Sequence, residues 1–541
     1  MDFGNTKEPA MRRFSSYGPV DKDIHYYVPR QELIEKGYTL LLGESPEEGG
    51  HYLTVWAPRQ RGKTWIMQEA IDHIKQINQF DVVMTSVGRA KEQEKEEEVM
   101  KIIIEEFQYA LNRTFPPLKK ISELRRLFTG DYFKRPVILV LDEFDALDEV
   151  FINQFSNVFR ELYLKRTIEK EKTNEEKTCL LHGLALIGVR SVLGIENQSG
   201  SPFNVQRSLH IPNLTIDEVR EMFQWYERES GQEVEPEVID RLYKETNGQP
   251  GITCWFGELL TEAYNPDPSS PITLSHFDEA YGAATHILPN NNILNLISKV
   301  NKPPYNELIL ELFKTGEKIE FKFHNRDINY LYMNGIIDSE KGDKNTYYLK
   351  FSSPFVQKSL FDYFSETYFK FHGNLVEPFT NLDSIITPSG LEIIPLLNLY
   401  QAYLDRNKTW LFKNAPRRSD QRIFEAVFHF SFFSYVSEFS RSKNIGVIPE
   451  FPTGNGKIDI LLQYKEMRYG IELKSFRDNA AFRDALDKAA QYGKQLGLNE
   501  IYLVNFIESI DESTRTTYQE PHQNPVTGVI VNPFFIITGD I

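Results

Sequence analysis

Cysteine is scarce in this chain. Only Cys179 and Cys254 occur among 541 residues, and they lie far apart. That excludes a disulfide-stapled scaffold and points to a reducing, cytoplasmic setting. Neither has a second thiol or paired histidines nearby in sequence, which argues against a structural zinc site. Long apolar runs are also missing; none approaches the ~20 residues of a membrane helix. The stretch Met1-Asp2-Phe3-Gly4-Asn5-Thr6-Lys7 has no apolar signal core, so secretion is not expected. Positive charge is in deficit: 61 Lys and Arg stand against 77 Asp and Glu, a net charge of −16. Taken alone, that disfavours a general polyanion binder.

What is present is unevenly arranged. The chain is too long for one core, so several domains are expected. Acid concentrates in Lys91–Val99 and Glu169–Lys177, mixed-sign stretches that read as solvated surface. Arg406, Lys408, Lys413, Arg417, Arg418 and Arg422 form a basic segment opposed only by Asp420. It is either a solvated linker or a phosphate-backbone contact.

From His51 onward, strand and helix signals alternate. Apolar runs at Tyr52–Trp56, Val82–Val87, Pro136–Leu141, Leu184–Val189 and Val205–Ile211 are separated by helical segments. This predicts an α/β fold with a parallel sheet covered on both faces. Thr215-Ile216-Asp217-Glu218 carries a helix-cap pattern and opens a small helical lid. Tyr305–Phe313, Arg326–Met333 and the strands Ile336–Asp338 and Tyr347–Phe351 predict a winged helix, where Lys318, Lys322 and Arg326 could meet DNA. The expected boundaries are an α/β core over 1–212, a lid over 213–289, a winged-helix-like domain over 290–370, a helical connector over 371–406 and a last domain over 407–541.

Two motifs carry chemistry. Ala57-Pro58-Arg59-Gln60-Arg61-Gly62-Lys63-Thr64 follows the first strand and opens a helix, as a phosphate-wrapping loop does, except that Ala57 stands where the pattern has glycine. Arg61 and Gly62 belong to this loop; Lys63 would reach the β- and γ-phosphates and Thr64 would hold Mg²⁺. Downstream, Val137–Asp145 ends an apolar strand in acids: Asp142 would hold the same Mg²⁺ and Glu143 would polarise a water.

The second motif is Gly456–Leu462 followed by Tyr469–Lys474. Asp459 closes toward Glu472 and Lys474, which share one strand face because alternate residues point the same way. Two carboxylates can hold a hard cation such as Mg²⁺ or Mn²⁺, and a lysine can orient a water or steady a phosphate. Glu425 lies among Ile423, Phe424, Val427 and Phe428, an acid drawn toward a core, which is costly unless it is paired. The aromatic run Phe428–Tyr435 fits core better than base stacking. His429 reads as an ordinary satisfied histidine.

With these residues in view, residues 50–260 resemble a P-loop ATPase of the AAA/STAND group, closest to bacterial forms with an APRQxGKT loop. The resemblance implies ATP as cofactor, places Arg190 near the γ-phosphate, and puts Asn247-Gly248-Gln249-Pro250 beside the adenine, with Pro250 a binding residue. The C-terminal part resembles a PD-(D/E)XK nuclease. That implies Asp459 and Glu472 as metal ligands, Lys474 as the motif lysine, the Leu473 carbonyl as an extra ligand, and Glu425 and Gln491 facing the site. Ile458 stands where the family name has proline. The joint expectation is an ATP-regulated nuclease acting on nucleic acid, with DNA favoured; a homo-oligomer and a role in defence against foreign DNA are both compatible with it. The alternative is a nucleotide-switched scaffold whose nuclease-like domain is inactive.

Overall fold

The computed structural model describes residues 11–44, 48–173, 175–188, 206–313, 319–342, 345–369, 384–413, 415–417, 423–440, 443, 445–452 and 457–539. Helix α1 (Gln31–Leu42) leads into β1 (Tyr52–Trp56), α2 (Lys63–Ile77), β2 (Asp81–Ser86), α3 (Glu96–Leu111), β3 (Val137–Asp142), α4 (Glu149–Ile168), β4 (Leu181–Gly188) and β5 (Gln206–His210). The five strands form one parallel sheet in the order β2-β3-β4-β1-β5. β3 displays the reason. Leu139 and Leu141 join a core cluster with α3 and α4, while Ile138 and Val140 join another with α1 and α2. A strand whose alternate residues are all apolar must be covered on both sides.

Over the expected lid lie α5 (Ile216–Ser230), α6 (Pro236–Thr246), α7 (Pro250–Glu258) and α8 (Leu274–His286), and α9 (Asn291–Val300) follows. Thr215 caps α5 as its sequence suggests. Its hydroxyl accepts from the Glu218 amide at 3.2 Å, and the Glu218 carboxylate accepts from the Thr215 amide at 2.7 Å. Asn247 and Gly248, both at positive φ, turn the chain from α6 into α7. A side chain on Gly248 would lie 2.1 Å from the Leu214 carbonyl oxygen.

Then come α10 (Tyr305–Leu312), α11 (Arg326–Met333), β6 (Ile337–Lys341), β7 (Tyr347–Phe351), α12 (Pro354–Phe369), β8 (Ile386–Thr387), β9 (Gly390–Leu391) and α13 (Ile393–Leu411). Helices α10 and α11 precede β6 and β7, which form a two-stranded sheet. The described chain falls into two compact units, and the division runs through this region. One unit is Met1–Leu296 with Lys322–Asp338 and Ser352–Pro354; the other is Ile297–Phe321, Ser339–Phe351 and Phe355–Ile541.

The last part contains α14 (Glu425–Ser440), β10 (Ile445–Pro452), β11 (Lys457–Tyr464), β12 (Met467–Ser475), α15 (Asn479–Leu496), β13 (Glu500–Ile507), α16 (Glu512–Tyr518), β14 (His522–Gln523) and β15 (Ile530–Ile537). They build a mixed sheet ordered β10-β11-β12-β13-β15-β14. β10, β11 and β12 run antiparallel in turn, whereas β12, β13 and β15 are parallel. The α15 crossover supplies Phe482, Ala485, Leu486, Ala489 and Ala490 to a core with Ile458, Ile501 and Leu503. One edge strand, β10, carries Pro449; the other, β14, has two residues. Phe428, Phe430, Phe432 and Tyr435 of α14 are buried, as core residues and not as a stacking platform. Among the described residues no helix is long and apolar enough to cross a membrane.

Candidate functional site

Two polar sites stand out, one in each unit. In the first, the loop between β1 and α2 is shaped by two left-handed residues, Gln60 (φ 57°) and Gly62 (φ 82°). Gly62 takes that conformation without cost, which lets the loop curl directly into α2. Ala57, at the position the pattern gives to glycine, is fully buried. Lys63 turns back over the loop, its Nζ donating to the carbonyls of Ala57 at 2.8 Å and Pro58 at 2.9 Å. Burial pulls its pKa down to about 8, although Asp145 and Asp142 partly offset this.

Thr64 Oγ1 donates to Asp142 Oδ2 at 2.6 Å, so the two groups expected to share Mg²⁺ already meet. Burial raises the Asp142 pKa, and the Thr64 bond opposes the rise. Glu143 sits in the left-handed region (φ 56°), and its carboxylate accepts from Ser86 Oγ at 2.6 Å. Gly88 permits this contact, because a Cβ there would lie 2.1 Å from Glu143 Oε2. The lid grips the same loop: the Gly251 amide donates to the Gln60 carbonyl at 3.1 Å, and Gln249 Nε2 to the Arg59 carbonyl at 3.4 Å. Pro250 is the first residue of α7 between these two contacts. Arg61 is nearly buried, and Asp338 is the acid that most favours its charge.

The second site lies where β11 and β12 separate. Their pairing runs as far as Ile460 opposite Ile471. Beyond it, carboxylates take up the β12 amides. The Leu473 amide donates to Asp459 Oδ2 at 2.6 Å, and the Ser475 amide to Glu425 Oε2 at 2.8 Å. Lys474 Nζ lies 2.6 Å from Glu472 Oε1 and 3.6 Å from Asp459 Oδ2, and donates to the Leu473 carbonyl at 3.0 Å. All four side chains are buried: Glu425 is 7 % exposed, Asp459 2 %, Glu472 1 % and Lys474 9 %. Burial raises the pKa values of Asp459 and Glu472, with Lys474 working against the rise. For Lys474 itself, burial opposes the charge, yet Asp459, Glu472 and Glu425 outweigh it and hold its pKa above that of an ordinary lysine.

His429 joins this site, one helical turn after Glu425. Its Nε2 is 3.2 Å from the Leu473 carbonyl, and its Nδ1 is 3.8 Å from Asp459 Oδ1. A carbonyl only accepts, so Nε2 carries the proton and Nδ1 a free lone pair. Burial pushes the ring's pKa down to about 4 and keeps it neutral. Asp459 Oδ1, Glu472 Oε2, Glu425 Oε1 and His429 Nδ1 are all buried without a hydrogen-bond partner among the described residues. Carboxylate oxygens and a neutral imidazole nitrogen are each of a kind that a divalent cation can take as a ligand. Among the described residues, however, no three such side chains are gathered closely enough to hold an ion outright. The Lys474 ammonium instead bridges two of the acids.

The structure therefore brings together Glu425, Asp459, Glu472 and Lys474, and separately Lys63, Thr64, Asp142 and Glu143. Gln491 has a different setting. That residue lies exposed on α15, because the face of the helix that meets the sheet is made by Ala485, Ala489 and Ala490. Arg190, Lys318, Arg418 and Arg422 lie outside the described residues. Lys322 and Arg326 are exposed. Ser86, Gly88 and His429 were not read as functional. Only His429 had a signal, its spacing of four from Glu425.

No protein-family model matches the chain, and no curated protein matches it. Among solved structures, a Walker-type ATPase of Pyrococcus abyssi is 14 % identical, with 64 % of this chain and 99 % of that chain covered at a TM-score of 0.43. The ORC1 protein of Aeropyrum pernix, solved in complex with DNA, is 14 % identical over 62 % of this chain and 92 % of that one, at a TM-score of 0.34. The RuvB Holliday junction branch migration motor of Thermotoga maritima gives 14 %, 59 %, 92 % and 0.34 for the same quantities. At such scores these are loose likenesses, and the function rests on the residues themselves.

Proposed function

We propose that this chain joins a P-loop ATPase to a metal-dependent phosphodiesterase that cuts nucleic acid, with DNA the favoured substrate. The observation that carries this reading is the buried set Glu425, Asp459, Glu472 and Lys474, with unsatisfied atoms on three of its acids. So many buried charges are costly to fold around, and they are retained where chemistry uses them. Asp459 and Glu472, with the Leu473 carbonyl, would hold Mg²⁺ or Mn²⁺. The ion, when bound, lowers the pKa of water and neutralises phosphate charge. Glu425 stays fixed to the end of β12, and Lys474, charged at every working pH, orients the attacking water or the phosphate. At the other site Lys63 would leave the loop carbonyls for the ATP phosphates. Thr64 and Asp142 would hold its Mg²⁺, and Glu143 would release Ser86 to polarise the hydrolytic water.

A second reading has one observation in its favour. Lys474 already neutralises Glu472 and Asp459, as in an inactive domain whose ion pairs are structural. The chain would then be a nucleotide-switched scaffold for nucleic acid or protein. One experiment separates the two. DNA and RNA are incubated with Mg²⁺ or Mn²⁺, with and without ATP, and Lys474→Ala serves as control. Cleavage that vanishes in the variant supports the nuclease. Metal-independent gel shifts with intact substrate in every condition would replace it with the scaffold.

A further inference from the structure

A cavity of about 590 Å³ opens in the second unit at the carboxyl ends of the parallel strands β12 and β13. Open α/β sheets take their ligands in crevices at such ends. Phe476, Ile510 and Tyr518 give this one apolar surface, and Asn479 and Asp511 give it polar groups.

The cavity adjoins the acid site along β12. Glu425 accepts from the Ser475 amide, and the next amide, of Phe476, donates to the Phe506 carbonyl at 2.9 Å, so the pairing with β13 continues past Lys474. Glu472, Lys474 and Phe476 therefore follow one another on one strand face, each step about 6.6 Å. The register agrees. Leu503, opposite Glu472, shares a core with Phe482 and Phe535, whose rings lie 6.1 and 5.6 Å from that of Phe476. In the proposed reaction Glu472 and Lys474 act at the scissile phosphate. Phe476 stands one step beyond, within reach of the nucleotide joined to it.

The chemistry of the walls suits a base. The half-buried rings of Phe476 and Tyr518 are centred 6.1 Å apart at 38°. Phe482 and Phe535 brace Tyr518 as well, at 5.2 and 6.0 Å, so both rings are held in place. The Tyr518 hydroxyl donates to Asn479 Oδ1, which leaves the Asn479 amide nitrogen as a donor. Asp511 spends its oxygens on Ser513 and Thr514. It and its exposed neighbours Glu508 and Glu512 are anionic, which disfavours a phosphate inside the cavity. A neutral planar ring with polar edges meets all of these conditions. A base in a duplex does not present its faces, because its neighbours cover them.

We propose that this cavity receives an unpaired base beside the cut phosphate, stacked on Phe476 and Tyr518, and that the substrate is therefore single-stranded nucleic acid. This inference rests on the nuclease reading above and adds the strandedness of its substrate.

The test measures binding of the full chain to labelled oligonucleotides by fluorescence anisotropy, with Ca²⁺ as the ion. The probes are single-stranded DNA, single-stranded RNA, the blunt duplex, and a strand whose central bases are replaced by abasic sites. The base-bearing strand is expected to bind at least roughly tenfold more tightly than the duplex or the abasic strand. A gap with either sugar supports the cavity, and the larger gap names the strand. Tyr518→Ala should weaken the base-bearing strand and leave the abasic strand unchanged. The probe series on the unaltered protein keeps the test decisive should that variant not fold. A strand carrying 5-iodouracil should crosslink to Phe476 or Tyr518. Equal affinity for base-bearing and abasic strands overturns the base cavity, while cleavage in Mg²⁺ or Mn²⁺ then leaves the nuclease standing. No binding of any probe and no cleavage in any ion overturn the nuclease reading and this inference with it.

Discussion

Each unit buries a lysine at its candidate site, and the two lysines are displaced in opposite directions. Lys63 is surrounded chiefly by carbonyls, and its pKa falls to about 8. Lys474 stands among three carboxylates, and its pKa rises. Carbonyl dipoles only partly repay the loss of water, whereas anions more than repay it. The first lysine is thus a cation lacking a full counter-charge, and it waits for an anion. The second is already neutralised, and what remains unsatisfied around it is negative, so its site waits for a cation.

The largest effect expected from this contrast is at Lys474. Lys474→Met leaves two buried acids without their counter-ion and should cost about 3–5 kcal/mol in urea unfolding without metal. Adding Glu472→Gln should restore much of that loss. If the single variant is as stable as the parent, the ammonium is not what holds the acids. Cleavage should fall by at least ~100-fold in the same variant, measured on labelled DNA.

Lys63→Met gives the opposite pattern. Asp142 keeps the bonds it accepts from Thr64 and the Glu143 amide, so metal-free stability should move by less than ~1 kcal/mol, while ATP affinity drops by roughly 100-fold or more. A large loss of stability would show that Lys63 is structural.

Alkaline pH sharpens the comparison further. Between about pH 8 and 10.5 the unfolded chain keeps a proton on Lys63 that the nucleotide-free folded chain has released, so this lysine's contribution to stability rises with pH. The pKa of Lys474 is raised instead, so its contribution is fully present below 10.5 and is lost only above it. ATP affinity should weaken as pH climbs past about 8, when Lys63 loses its charge, and Lys63→Met should flatten that dependence. Calorimetry across the range checks both points.

The smallest expected effect is at Gly88. Gly88→Ala places a methyl against Glu143 Oε2 and should break its bond to Ser86. ATP binding should persist while the hydrolysis rate changes by roughly tenfold, read as phosphate release. An unchanged rate would make the Ser86 contact incidental.

The sequence made much of this legible wherever chemistry follows local spacing. Apolar runs marked β3 and β4, Thr215 marked its helix, and the i, i+2 relation of Glu472 and Lys474 put both on one strand face. Legibility failed where a role depends on distant chain meeting. Ser86 and Gly88 matter only because β2 and β3 are neighbours. For α15 the spacing alone does not say which face meets the sheet; Ala485, Ala489 and Ala490 pack there, and Gln491 is exposed.

The proline in β10 has a consequence of its own. An edge strand offers free amides and carbonyls to any passing extended chain, and Pro449 in β10 has no amide proton to offer. The opposite border, β14, has too few residues to template anything. Both rims of the six-stranded sheet are thereby blunted, which disfavours chain-to-chain zippering of this sheet at high concentration and leaves its buried acids free to accept only what can diffuse in.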